Sequence, residues 1–313
     1  NFLNRYPNEA KAQLNARENM WTAGDALIEN WTVMEASPLF TPFERSQIVS
    51  ALYLTYEANS RDGYLASAAP TGPRWNHEIF PALSLVVGSD YFRRYHQLPE
   101  AEQWHALGER IFTGNTANIS LDEGSDYLMH VPMTNIDYAM ATGNLEFITR
   151  SLRPSADLNA LMIDNLGTMA GGGDTYPFGY SNAYSWGHSQ VMNAASWFYG
   201  DPLYLFLLER TRTGPFPGQR MSDLQYPIHR YMAAEGGSIE LPEDAYPKVQ
   251  AYPVEQGVYD DLRGSQQAPL DVDLADTFHK LTFRQGFGVD DSYLIVDGFS
   301  AGSHGHQDGN AVI

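Results

Sequence analysis

Apolar positions recur every three to four residues over roughly the first 235 residues, which is the period of helices buried along one face. The clearest start is Thr41-Pro-Phe-Glu44: Thr as the cap, Pro in the first turn, and Glu three residues on to return the capping bond. Ile48, Leu52 and Tyr56 follow at i, i+4 and i+8 and mark the buried face of that helix. The same reading predicts helices near 8–30, 79–96, 100–112, 127–142, 157–170, 186–198, 201–211 and 221–234. Gly/Pro punctuation separates most of them, as at Pro70-Thr-Gly-Pro73, Gly171-Gly-Gly173 and Gly214-Pro-Phe-Pro217.

After about Gly236 the pattern changes. Pro242, Pro247 and Pro253 break up a helix-poor stretch carrying Val249, Ala251, Val254 and Val258. Thr277–Phe283 and Ser292–Asp297 are rich in β-branched and aromatic residues and flank a Gly/Asp turn, so they read as strands. Helices followed by strands predict an α+β chain of two domains. Residues 1–240 would form the helical one and residues 241–313 the start of an antiparallel β-sheet domain. Successive helix pairs suggest an (α/α) solenoid closed into a toroid, complete or incomplete, with a plain bundle as the alternative. Asn310–Ile313 reads as a strand cut short, and the natural chain is expected to continue.

Composition narrows the function. Apolar residues make up 43% of the 313 and charged residues 18%, a globular balance. No apolar run reaches the roughly 18–20 residues that span a bilayer, so a membrane role is not expected. The net charge of −19 argues against nucleic acid, whose binding rests on cationic neutralisation of phosphate. It also repels an acidic polysaccharide at long range, so an enzyme acting on one needs a local cleft of positive or hydrogen-bonding groups. Cysteine is absent, which rules out disulfides and thiolate metal sites. The chain begins at Asn1 without a charged-then-apolar leader. It is read as the mature part of a secreted or periplasmic protein.

Three places carry candidate chemistry. Arg74-Trp-Asn-His-Glu78 lies between a Pro/Gly-rich loop and a helix, where polar side chains turn into clefts and helix N-termini favour anions. Asn76 as a simple cap is the bland alternative. Leu121-Asp-Glu-Gly-Ser-Asp-Tyr-Leu-Met-His130 opens the next helix and puts Tyr127 and His130 on one face, although an acidic cap with a core tyrosine has the same pattern. Ser300-Ala-Gly-Ser-His-Gly-His-Gln-Asp308 alternates His304, His306 and Asp308, which share a face in an extended chain and suit a metal or an anionic sugar.

In their order and spacing these motifs resemble the heparinase II/III-like and alginate lyase families of polysaccharide lyases. The resemblance spans most of the chain and implies an (α/α) toroid joined to an antiparallel β-sandwich. It implies that Asn76 and His77 flank a uronate carboxylate, that Tyr127 exchanges protons, and that a late histidine, His304, comes from the β domain. The chemistry suits these residue types. β-Elimination removes the C5 proton of a uronic acid, which is barely acidic beside a carboxylate. Donors on that carboxylate stabilise the enolate-like transition state, a role for Asn76 and protonated His304. Tyr127 serves as base and acid when the proton and leaving group share a face, and His77 as base when they do not. His130 holds Tyr127 toward the phenolate.

Around this core, Arg74, Trp75 and Glu78 are candidate substrate contacts. Tyr176, Tyr180, Tyr184 and Trp186 can line sugar subsites, with His188 beside them and Arg150 or Arg74 pairing with substrate carboxylates. His306 and Asp308 are candidate ligands of one divalent ion (Zn, Mn or Ca) in the β domain, and no organic cofactor is expected. His96, His105, His229 and His279 sit in ordinary helix or strand contexts and are read as structural. Alginate is the first substrate expectation and glycosaminoglycans the second. Two other functions fit the same residues. One is a glycoside hydrolase using Glu78 with Glu123 or Asp126; the other is a non-catalytic carbohydrate-binding protein.

Overall fold

Helices come first along the chain and strands last, in an α+β arrangement. The structure is a computed structural model that describes residues 25–61, 65, 76–114, 127–167, 186–213, 246–256, 259–260, 272–298 and 311–312. Helix α1 runs through 25–34, followed by α2 (Pro42–Ser60), α3 (Asn76–His96) and α4 (Pro99–Gly114). A 3-10 turn at Tyr127–Met129 leads into α5 (His130–Thr142). Then come α6 (Glu146–Met162), α7 (Trp186–Tyr199) and α8 (Pro202–Thr213). The strands are β1 (Val249–Tyr252), β2 (Lys280–Arg284), β3 (Tyr293–Asp297) and β4 (Ala311–Val312). No helix among the described residues is long and apolar enough to cross a membrane. The helix expected at 221–234 lies outside them.

The capping box at the start of α2 forms as the sequence predicts. The Thr41 N–H and hydroxyl donate to Glu44 Oε2 at 2.8 and 2.9 Å, and the Glu44 N–H donates back to Thr41 Oγ1 at 3.2 Å. These bonds hold the Glu44 carboxyl below its ordinary range, the Thr41 backbone bond first. Several helix boundaries differ from expectation. Helix α3 begins at Asn76 rather than 79. The helix expected over 157–170 is α6, which begins at Glu146, runs through Pro154 and ends where Ile163 turns extended (φ −78°, ψ 122°). Phe147, Ile148, Ser151, Leu152 and Ser155 continue one buried face across the proline, so packing overrides its local cost.

The chain forms two compact units, Asn1–Thr116 with Asp137–Asn144, and Ala117–Ile136 with Leu145–Ile313. In the first, α2, α3 and α4 pack on one another around Tyr56, Phe92 and Trp104. Phe92 meets Trp104 edge-on at 5.6 Å, and Tyr56 stacks on Trp104 at 6.2 Å. The helices approach closely because Gly88 and Gly108 have no side chain. A Cβ on Gly88 would run into the Tyr56 ring, and one on Gly108 would lie 2.7 Å from the Ala82 carbonyl oxygen. Helix α1 joins this unit through Trp31, whose indole donates to the Tyr91 hydroxyl at 2.9 Å.

In the second unit α6 packs against α7, α8, β1 and β2. At the helix contacts Arg153 Nη1 lies 3.0 Å from Asp201 Oδ2, and Tyr204 Oη donates to Asp157 Oδ1 at 2.5 Å. The strands form one antiparallel sheet in the order β1-β2-β3-β4. Its register pairs Val249 with Phe283, Ala251 with Leu281, Leu281 with Val296, and Phe283 with Leu294. One face is therefore wholly apolar across the first three strands. That face is also the more exposed one: Val249 and Phe283 are 55% and 41% accessible, while Lys280, Thr282 and Arg284 of β2 are buried.

Candidate functional site

Asn76 opens α3 with an exposure of 1%, and neither its Oδ1 nor its Nδ2 has a hydrogen-bond partner among the described residues. An amide shielded this way forfeits its water bonds without replacement, a cost on the order of 1–3 kcal/mol. His77 beside it is partly buried, and Glu78 is buried in the same turn. The expected junction thus becomes the first helical turn itself, with Asn76 held inside rather than capping from outside. Helix α2 adds another amide to this neighbourhood. Asn59 Nδ2 donates to the Pro81 carbonyl at 3.1 Å, while its shielded Oδ1 has no partner.

The second group begins at the 3-10 turn Tyr127–Met129, with His130 as the first residue of α5 and partly buried. This short turn replaces the expected helical start, and its tighter winding stacks residues three apart. The turn packs on α7, the helix that carries Trp186 and His188 at its start. The second unit thus brings two predicted segments together. The side chains of Tyr127, Trp186 and His188 lie outside the described residues. So do Arg74, Trp75, Tyr176, Tyr180, Tyr184, His304, His306 and Asp308, together with Glu123 and Asp126 of the hydrolase alternative. Asn76, His77 and Glu78 belong to the first unit, and Tyr127 and His130 to the second.

Sequence patterning missed the amides farther along α7. Gln190 and Asn193 are each 1% exposed, and Asn193 Nδ2 has no acceptor. Their signal is a three-residue polar spacing on a helix of mostly small and apolar residues. Arg150, named only as a possible carboxylate partner, lies near the start of α6 over the Phe147 ring at 4.7 Å. Its Nε and Nη2 are shielded from solvent and have no hydrogen-bond partner among the described residues.

A cavity of about 590 Å³ opens elsewhere, in the first unit, between α1, α3, α4 and the end of α5. Several of its charged groups have partners: Arg93 pairs with Glu102 at 2.9 Å, Arg94 with Asp90 at 3.6 Å, and His105 Nε2 lies 3.8 Å from Glu109. Glu109 also accepts from the Tyr138 hydroxyl at 2.7 Å. The expected site residues do not line it. Among the described residues no cluster of three or more His, Asp or Glu is placed to hold a metal ion. His279, read as structural, is fully buried, and burial first and Lys280 second hold its imidazole well below the usual range.

No protein-family model, curated protein or solved structure matches the chain.

Proposed function

We propose that the chain is a polysaccharide lyase that cleaves a uronate-containing polysaccharide, alginate first, by β-elimination. The observation that carries this reading is the Asn76 amide: buried at a helix start, with its donor and acceptor both unused. Such a group has its hydrogen-bonding capacity held in reserve for a ligand, and the N-terminal end of α3 adds a favourable field for an anion. A uronate carboxylate meets both conditions. The amide would donate to it as negative charge builds on C5, with His77 next along the same turn.

Tyr127 takes the proton roles, as base at C5 and acid at the leaving oxygen, with His130 favouring its phenolate. His304 adds a cation on the carboxylate. The helix pairs are the material of an (α/α) toroid. The apolar outer face of the sheet, with Val249 and Phe283 exposed, favours a second β layer over it and therefore a sandwich. His306 and Asp308 remain the proposed ligands of a divalent ion, which takes no part in these steps.

The test is an ultraviolet assay for unsaturated uronate over a panel of acidic polysaccharides, with folded Tyr127→Phe as control. Product from the native protein and none from the variant is expected. Hydrolysis without ultraviolet product, or full activity in Tyr127→Phe, would overturn the proposal.

A further inference from the structure

Arginine partners in this chain follow a rule with one exception. Arg45 donates to the Glu35 and Ser37 carbonyls, Arg61 to Glu57, and Arg110 to the Leu65 carbonyl. Arg93 pairs with Glu102, Arg94 with Asp90 and Arg153 with Asp201. Arg210 and Arg284 donate to carbonyl and amide oxygens within their own unit. Arg150 alone, among the arginines whose side chains are described, has no acceptor, in a chain that carries 38 acidic residues.

The two shielded nitrogens are Nε and Nη2. They form one edge of the guanidinium, the edge whose parallel N–H bonds fit a carboxylate in a bidentate pair. We infer that Arg150 is a carboxylate-binding residue of the second unit, whose Nε/Nη2 edge takes the uronate carboxylate of an acidic oligosaccharide. The inference rests on the lyase reading for its substrate class.

The resting pose fits this role. The guanidinium carbon lies 4.7 Å from the centre of the Phe147 ring, itself buried, so the ring supports the cation while its edge stays unsatisfied. The occlusion means that the side chain must swing outward to reach a ligand, exchanging an unsatisfied edge for a paired one. One turn on, Pro154 lacks the N–H that would bond back to the Arg150 carbonyl, so α6 lacks one backbone bond beside this residue. The net charge of −19 makes an uncompensated cation the natural local attractor for an acidic chain.

The test is calorimetric titration of an oligouronate and its carboxyl-reduced counterpart into the native protein, Arg150→Gln and Arg150→Lys, each checked by near-ultraviolet circular dichroism. The native protein should prefer the oligouronate by about tenfold or more, Arg150→Gln should lose that preference, and Arg150→Lys should recover part of it. Affinity for the reduced sugar should be alike in all three. A preference that survives in Arg150→Gln, or no preference in the native protein, overturns the inference. The elimination assay separates the two proposals. Ultraviolet product with an unchanged Arg150→Gln leaves the lyase and removes this residue, while carboxylate preference without elimination leaves the residue and removes the lyase.

Discussion

Arg284 Nη2 on β2 donates a 2.6 Å hydrogen bond to the carbonyl of Ile163, the residue that ends α6. The same guanidinium bonds to Asn165 Oδ1 and lies over the rings of Phe287 and Tyr293. Among the described residues no carboxylate hydrogen-bonds to it. Its charge is met by carbonyl dipoles at the C-terminal end of a helix, where the macrodipole favours a cation. Arg284→Leu should therefore leave two buried acceptors unpaired and destabilise the second unit by about 2–4 kcal/mol. Hydrogen exchange should show this as faster exchange of the β2 and β3 amides. Unchanged protection there would remove Arg284 as the tie between sheet and helix.

Asp157 gives a pH dependence with a definite sign. Burial, the largest influence, raises its carboxyl above the ordinary value, against the lowering by the Tyr204 hydroxyl and Arg153. The folded chain therefore holds this proton more tightly than the unfolded chain, whose carboxyl titrates near about 3.9. The stability linked to this group is fully present below that value and is lost as pH rises through the raised folded one. Asp157→Asn does not titrate, so its melting temperature relative to the native chain should be higher at pH 7 than at pH 3. A difference independent of pH would show that the carboxyl is not raised.

Asn76 should show opposed effects on stability and activity. Replacing an amide that has no partners by an apolar side chain of similar size removes the unsatisfied groups. Asn76→Leu should thus be as stable as the native chain, or more so by about 1 kcal/mol. Its elimination rate should fall by roughly a hundredfold or more, because the carboxylate donor is gone. Urea unfolding and the ultraviolet assay measure the two sides. A marked loss of stability with activity retained would make Asn76 a structural residue.

Local signals explain what could be read in advance. The box at Thr41 and Glu44 depends on residues three apart, and it forms. Strands β2 and β3 stand out by β-branched and aromatic content, and they pair. The burial of β2 is another matter. Alternation alone would turn Leu281 and Phe283 inward, yet Lys280, Thr282 and Arg284 are the buried ones. Their partners, Asp297 for Lys280 and the end of α6 for Arg284, lie elsewhere in the chain and leave no mark on the strand's own pattern. The start of α6 at Glu146 rather than 157 has the same cause, since the packing that carries the helix through Pro154 is tertiary. At the site, the closeness of Asn76 to a helix start was legible, though the helix begins at Asn76 itself and not at 79. That its amide goes unpartnered depends on neighbours brought in by folding, as does the isolation of Arg150.

Gly88 and Tyr56 share one volume, because the ring of the tyrosine fills the space that a side chain at 88 would need. The two positions are therefore not independent in descent. A methyl group at 88 becomes acceptable only after the ring at 56 has been traded for something smaller, and the order of those changes matters. A lineage that enlarges 88 first passes through a clash at the centre of the first unit, whereas one that trims 56 first passes through a void. Either first step costs about 1–5 kcal/mol, so the two positions are expected to change together rather than one at a time.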